Sequence, residues 1–304
     1  MAAWFTGSRE GASDVTIHGA RFTGGKWTAP VELAHADHVP CWNPVLFHTA
    51  DGRLWLYYKY GASPRSWKGA RKWSTDEGRT WSAEELLPDG ILGPIKDKPL
   101  VLADGTIVSG SSREPAWTAW IERSANNRKH WTTFGPIELQ ETPAALAART
   151  NPISSNQPPM YRGPLGILQP TVVQLEGDHL RFYARTRSTT AKIAASDSHD
   201  AGKSWSRPHF IDLPNPNSGI DAVRLRDGRI VMVFNNSSRA RTPLNLAIST
   251  DGEHFRIFST LEDTPGEYSY PAIIQAGNGD LLITYTWRRE TIKFVRLKPP
   301  AVSE

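Results

Sequence analysis

The chain has 304 residues, 39% apolar and 22% charged, which is enough to bury a core, and no stretch has the composition of a disordered segment. A formal charge of +4 with scattered Lys and Arg argues against a nucleic-acid partner, and the single Cys41 excludes an internal disulfide and a multi-cysteine zinc site. No apolar run approaches the about 18 residues of a membrane span, and Met1-Ala-Ala-Trp-Phe5 shows neither the basic nor the apolar region of a secretory signal.

Taken in chain order, the sequence repeats a unit of short strands. Trp4-Phe5, Val15 to Ile17 and Pro30 to Leu33 read as strands two, three and four of a unit without its first. Phe22-Thr-Gly-Gly25-Lys-Trp27 is a reduced turn motif within it. Asn43 to Phe47, an Asp51-Gly52 turn and Leu54 to Tyr58 begin the next unit. There Ser74 to Trp81 reads S-x-D-x-G-x-T-W, and Glu85 to Leu87 follows. Lys98 to Leu102, Asp104-Gly105 and Thr106 to Val108 start a third unit. It has a degenerate motif from Ser124 to Trp131 and ends at Pro136 to Leu139. Gln140 to Gly163 is rich in Pro and Asn and reads as a long loop.

Pro170 to Leu175 and Leu180 to Tyr183 lead to the second full motif, Ser198 to Trp205, S-x-D-x-G-x-S-W, and to Phe210 to Leu213. Ile220 to Val223, Asp227-Gly228 and Ile230 to Phe234 lead to a shortened copy, Ser249 to Phe255, and to Arg256 to Phe258. Tyr270 to Gln275, Leu281 to Tyr285 and Ile292 to Leu297 look like strands one to three of a last unit lacking its fourth. The Asp-Gly pairs are hairpin signals between period-2 runs. In each motif the Asp accepts backbone N–H bonds across a tight turn and the Gly supplies a positive φ. Several strands in each repeat of about 45 to 55 residues predict the blades of an all-β propeller. Two strands are expected upstream of Met1, so the terminal blades are incomplete and 1–304 is one propeller domain. An upstream start would also open secretion or export to a chain that, as written, reads as cytoplasmic.

In such a fold the first strand of each blade starts at one face, and the loop from strand two to strand three returns there. The strand starts contain Trp42-Asn43, Lys96-Asp97-Lys98, Leu168-Gln169, Ser218 to Asp221 and Glu267-Tyr268. The loops contain Ser8-Arg9-Glu10, Tyr60 to Trp67, Arg113-Glu114, Arg185 to Arg187, Arg239 to Arg241 and Trp287 to Arg289. Recurrent Arg suggests an anionic ligand, because guanidinium grips carboxylate in a bidentate fork. The alternative is that Arg is simply tolerated in exposed loops. Twelve Trp residues suit either sugar stacking or a repeated packing role. Asp97 between Lys96 and Lys98 reads either as a surface charge cluster or as the border of the site, and Gln169, Arg113 and Asp221 join the substrate-binding candidates.

The S-x-D-x-G-x-[ST]-W motifs resemble the Asp-box (BNR) repeats of sialidases. Beyond these boxes, Ala3 to Gly11, Cys41 to Leu46, Pro214 to Asp221 and Gly266-Glu-Tyr-Ser-Tyr-Pro271 resemble sialidases, and look closest to bacterial predicted neuraminidases. The resemblance implies a six-bladed β-propeller with structural Asp-boxes. It also implies a retaining exo-glycosidase that holds a substrate carboxylate with three Arg and attacks with a Tyr assisted by a Glu, an Asp on a loop being the general acid. Carried over, Tyr268 matches the nucleophile, and Arg185 and Arg241 match the second and third Arg. The first Arg belongs to a strand this chain lacks. The assisting Glu falls near Leu168 or Gln169, where there is no carboxylate, so Glu267 or Asp221 would have to substitute. Glu10 is the general-acid candidate and Asp14 the runner-up.

The expected substrate is an acidic glycan or glycoconjugate bearing sialic acid or a related 2-keto sugar acid, with no cofactor and no metal. The oligomeric state is not legible. Two other readings stay open: a lyase or glycosidase acting on other acidic glycans, and a glycan-binding propeller without turnover.

Overall fold

The computed structural model describes residues 1–114, 116–125, 130–139, 165–188 and 190–301. The expected Gln140–Gly163 loop and part of the degenerate motif at Ser124–Trp131 lie outside them. The chain divides into two compact units, Met1–Pro115 with Trp120–Gly135, and Ala116–Ala119 with Pro136–Glu304. The described residues contain strands and no helix.

The first unit begins with a three-stranded antiparallel sheet of β1 (Ala2–Thr6), β2 (Thr16–Ala20) and β5 (Val31–Ala34). A small hairpin, β3 (Phe22–Thr23) with β4 (Lys26–Trp27), stands at the position of the reduced motif. The next sheet is a four-stranded meander of β6 (Cys41–His48), β7 (Leu54–Tyr60), β8 (Lys68–Ser74) and β9 (Glu85–Leu86). The unit also holds most of the third sheet, β10 (Leu100–Val101), β11 (Ile107–Arg113), β12 (Thr118–Ala125) and β13 (His130–Ile137).

The second unit has two more meanders and a closing three-stranded sheet. They are β14 (Gly166–Glu176) to β17 (His209–Pro214), through β15 (His179–Arg187) and β16 (Lys192–Ser198); β18 (Asp221–Arg224) to β21 (Arg256–Glu262), through β19 (Ile230–Asn235) and β20 (Leu244–Ser249); and β22 (Tyr268–Gln275), β23 (Leu281–Trp287) and β24 (Thr291–Leu297). The two three-stranded sheets are the terminal blades read as incomplete from the sequence.

Cores form between successive sheets within each unit. Leu56, Tyr58 and Ala70 of the second sheet meet Ile17 and Leu33 of the first. Tyr183, Ile193 and Ile211 of the fourth meet Ile220, Ile230 and Met232 of the fifth. Sheets buried on both faces need apolar residues on both, which is why β19 and β20 read as unbroken buried runs rather than alternating ones.

The turn motifs behave as their chemistry requires. Asp76 Oδ1 accepts the backbone N–H groups of Arg79 and Thr80 at 3.0 and 2.8 Å, while Ser74 Oγ accepts that of Gly78 at 2.9 Å. The second copy repeats this with Asp200 accepting from Lys203 and Ser204 at 2.9 and 2.8 Å, and Ser198 from Gly202 at 2.8 Å. Gly78 and Gly202 sit at φ 76° and 85°, where a Cβ would be strained. Trp205 folds back onto Phe182 with ring centroids 5.1 Å apart.

A buried carboxylate ties three neighbouring first strands of the second unit. Asp221 is 1% exposed. Its Oδ1 accepts from Thr171 Oγ1 on β14 and from its neighbour Ala222 N, and its Oδ2 accepts from Ile273 N on β22, each at 2.8 Å. Replacing Asp221 by Ala leaves the Ile273 amide and the Thr171 hydroxyl buried without this acceptor. The expected cost is about 3 kcal/mol in urea unfolding; a loss under about 1 kcal/mol would rule out the clasp.

The motif carboxylates also predict acid sensitivity. Burial alone would raise Asp200, but the hydroxyl and N–H of Ser204, with Ser198 and Lys203, outweigh it and hold it at about 2 against an ordinary 3.8. The unfolded chain therefore takes up this proton first as pH falls, so the contribution is complete above about pH 5 and lost on the way to pH 2. The urea midpoint should fall between pH 5 and 2, and Asp200→Asn should blunt that fall.

Candidate active site

Three first strands share one irregularity. Between Trp42 and Val45, Leu168 and Thr171, and Ser269 and Ala272, the inner strand has three residue steps where its partner has two. Each is a β-bulge of one extra residue. At each, the residue before a proline lies in the left-handed region: Asn43 at φ 45°, Gln169 at 55° and Tyr270 at 50°. A residue before proline is normally extended, and a non-glycine at positive φ costs about 1–3 kcal/mol. Three repeats of a costly conformation at the same strand position mark where side chains are re-aimed.

In the second unit, two of these residues meet the two arginines singled out from the sequence. Gln169 Oε1 accepts from Arg185 Nη1 at 3.1 Å. Arg185 also donates Nε to Asn217 Oδ1 at 3.1 Å, and Nη2 to Asn217 O and Oδ1 at 2.8 and 2.7 Å. It is 7% exposed, so its plane is fixed before any ligand arrives. Trp117 forms a platform under it: the Arg185 and Arg187 guanidinium carbons lie 5.7 and 3.7 Å from the ring centroid. Trp117 is itself at φ 54°. Gly166 approaches it so closely that a Cβ there would lie 2.0 Å from the Trp117 carbonyl oxygen.

Tyr270, half-buried, lies under Arg241, whose guanidinium carbon is 5.3 Å from the ring centroid. Arg241 Nη1 also binds Glu267 Oε1 at 2.8 Å. Arg289 Nε reaches both oxygens of Glu267 at 3.0 Å, and Ser269 Oγ donates to Oε1 at 3.2 Å. Burial alone would raise Glu267, but the hydrogen bond and charge of Arg289 and the charge of Arg241 hold it below the usual carboxylate range. A carboxylate so held is a poor base for a phenol.

Tyr268, expected as the nucleophile, is fully buried among Leu244, Leu246, Ile273 and Ile283. Its hydroxyl shares a 2.8 Å hydrogen bond with Thr264 Oγ1 and abuts Gly266. Strand alternation is the cause, for the chain turns Tyr268 into the core between the last two sheets, and the bulge then sets Tyr270 apart. Asp221, offered as a substitute base, has both oxygens engaged by the strand clasp.

The remaining candidates lie in the first unit. Glu10 is exposed on the loop after β1. Asp14 closes that loop on itself by accepting Ser8 N at 2.9 Å and Ser8 Oγ at 3.0 Å, and these bonds hold it below its ordinary value. Gly11 of this loop sits against Trp42, whose Nε1 donates to Gly61 O at 2.9 Å. Asp97 is 3% exposed and paired to Lys96 Nζ at 2.5 Å, so the acidic residue is interior rather than part of a surface cluster. Arg113 is exposed, donates to Gly90 O at 2.9 Å and lies over Trp120 at 5.9 Å.

Sequence reasoning missed Tyr270, Asn217, Trp117 and the pairing of Arg289 with Glu267. The X-Pro step in Asn43-Pro44, Gln169-Pro170 and Tyr270-Pro271 was the available signal. It also missed a buried pair in the first unit. Lys59, fully buried, donates to Pro94 O at 2.5 Å, and burial pushes it down to about 7. Glu122 accepts from Leu92 N, Gly93 N and Ser111 Oγ, and burial pushes it up. Together they fix the connection from the second sheet to the third.

Comparison with known proteins places these observations. No curated protein matches the sequence. A crystal structure of a Dyadobacter fermentans protein of unknown function superposes with TM-score 0.70 at 14% identity, over 93% of this chain and 82% of that one. The Hadza microbial sialidase Hz136 gives 0.70 at 16%, over 93% and 59%. Trypanosoma rangeli sialidase gives 0.67 at 13%, over 95% and 50%, so this chain spans little more than half of either sialidase. At these identities the likeness is one of fold, the six-bladed β-propeller of sialidases. The model of the BNR repeat-like domain matches residues 1–283, and the chain belongs to that family.

Proposed function

We propose that the chain is an exo-acting glycosidase of the sialidase type, releasing sialic acid or a related 2-keto sugar acid, with Tyr270 in the place first given to Tyr268. The carrying observation is the Arg241–Tyr270 contact at 5.3 Å on a strained bulge. A neutral phenol does not repel an anionic substrate as a carboxylate nucleophile would. The parallel bulge sets Arg185 against Gln169, supplying a second, rigid guanidinium for the acid group. Protonation of the leaving group stays with Glu10, with Asp14 behind it, on sequence grounds alone.

One observation favours a second reading. Gln169 stands where the resemblance requires a carboxylate base, and Glu267 is held by two arginines. A propeller that binds acidic glycans without turning them over would look the same.

A fluorogenic sialoside decides between them. Wild-type hydrolysis should fall on the order of 10²–10⁴-fold in Tyr270→Phe. Tyr268→Phe should keep its rate and lose about 1 kcal/mol of stability with the Thr264 bond. The reverse pattern would return the nucleophile to Tyr268. A folded protein that binds N-acetylneuraminic acid but turns over no sialoside would establish the binding reading.

A further inference from the structure

Glu267, offered from the sequence as a base, has a different setting in the site. Two guanidiniums on different loops converge on this one carboxylate, which is one-third exposed beside Arg241 at 16% and Arg289 at 56%. Water reaches it, and the Tyr270 ring faces the same Arg241. Glu267 thus occupies Arg241 in the way an incoming acid would, through a charge-assisted N–H···O bond of 2.8 Å.

We propose that Glu267 is a resident anion and a specificity-determining residue: an acidic ligand exchanges with it on Arg241 while Arg289 and Ser269 retain it. This rests on the reading of the site as one for an acidic sugar. The exchange selects for a ligand that brings its own carboxylate, because a neutral sugar would have to unpair the ion cluster with nothing to replace it. Small anions are penalised too, since each must displace a bonded carboxylate. If Glu267 instead bonded sugar hydroxyls or served as a base, removing its charge would weaken binding.

The sign of one change decides the matter. Titrate the full chain and its Glu267→Gln variant with sodium acetate and, separately, with N-acetylneuraminic acid, reading the heat of binding. Glu267→Gln should bind acetate about tenfold more tightly. Glu267→Ala, confirmed folded by its melting curve, should do the same and serves if the Gln variant is unstable. Acetate affinity unchanged or weaker in a folded variant overturns the exchange, whatever N-acetylneuraminic acid does. Tightened acetate with no binding of N-acetylneuraminic acid by any form supports the exchange and overturns the sugar class instead.

Discussion

The site depends on a geometric irregularity in otherwise regular sheets. One extra residue in an inner strand, held left-handed ahead of a proline, turns a side chain out of the strict in-and-out alternation. Gln169 and Tyr270 owe to it their contacts with Arg185 and Arg241, which Asn217 and Glu267 also hold. Such a conformation persists only where the surroundings over-determine it. Here the Asp221 carboxylate anchors β14 and β22 from the strand between them, a residue or two beyond each bulge. The strained positions are held by a buried polar clasp rather than by apolar packing alone.

Much of the architecture was legible in the sequence because its signals are local. Asp-Gly turns and the Ser-Asp-Gly motifs specify backbone conformations within a few residues, and Gly52, Gly105 and Gly228 all lie at positive φ as those turns require. The Asp-box bonds follow from residue type and spacing alone. The loops of Arg185 and Arg241 could be placed from the sequence because the strand order fixes which loops return to the first-strand ends. Tyr268 and Tyr270 were not separable in this way. Both are tyrosines at a strand start, two residues apart, and in an unbroken strand they would share a face. Only the bulge separates them, and its register is a property of the pairing with β23.

Burial was the other blind spot. Lys59, Asp97 and Glu122 look in the sequence like ordinary surface charges, and each is interior. Lys96 adjoins Asp97 in the chain, but the partners of the other two are distant in sequence: Pro94 O for Lys59 and the Leu92 and Gly93 amides for Glu122. A one-dimensional pattern carries no sign of such pairings. Asp221 belongs with them: its position suggested chemistry, while its bonds serve the framework.

The contact between Gly166 and Trp117 carries a consequence for how this scaffold can vary. The platform beneath two guanidiniums is placed by its own backbone carbonyl, resting where residue 166 has no side chain. Any methyl group at 166 would lift the indole and swing both cations with it, without touching a ligand or a charged residue. The placement of the platform is thus encoded partly by a missing atom. Divergence at that inconspicuous position would be a route by which related chains move the stacked guanidiniums while keeping every arginine.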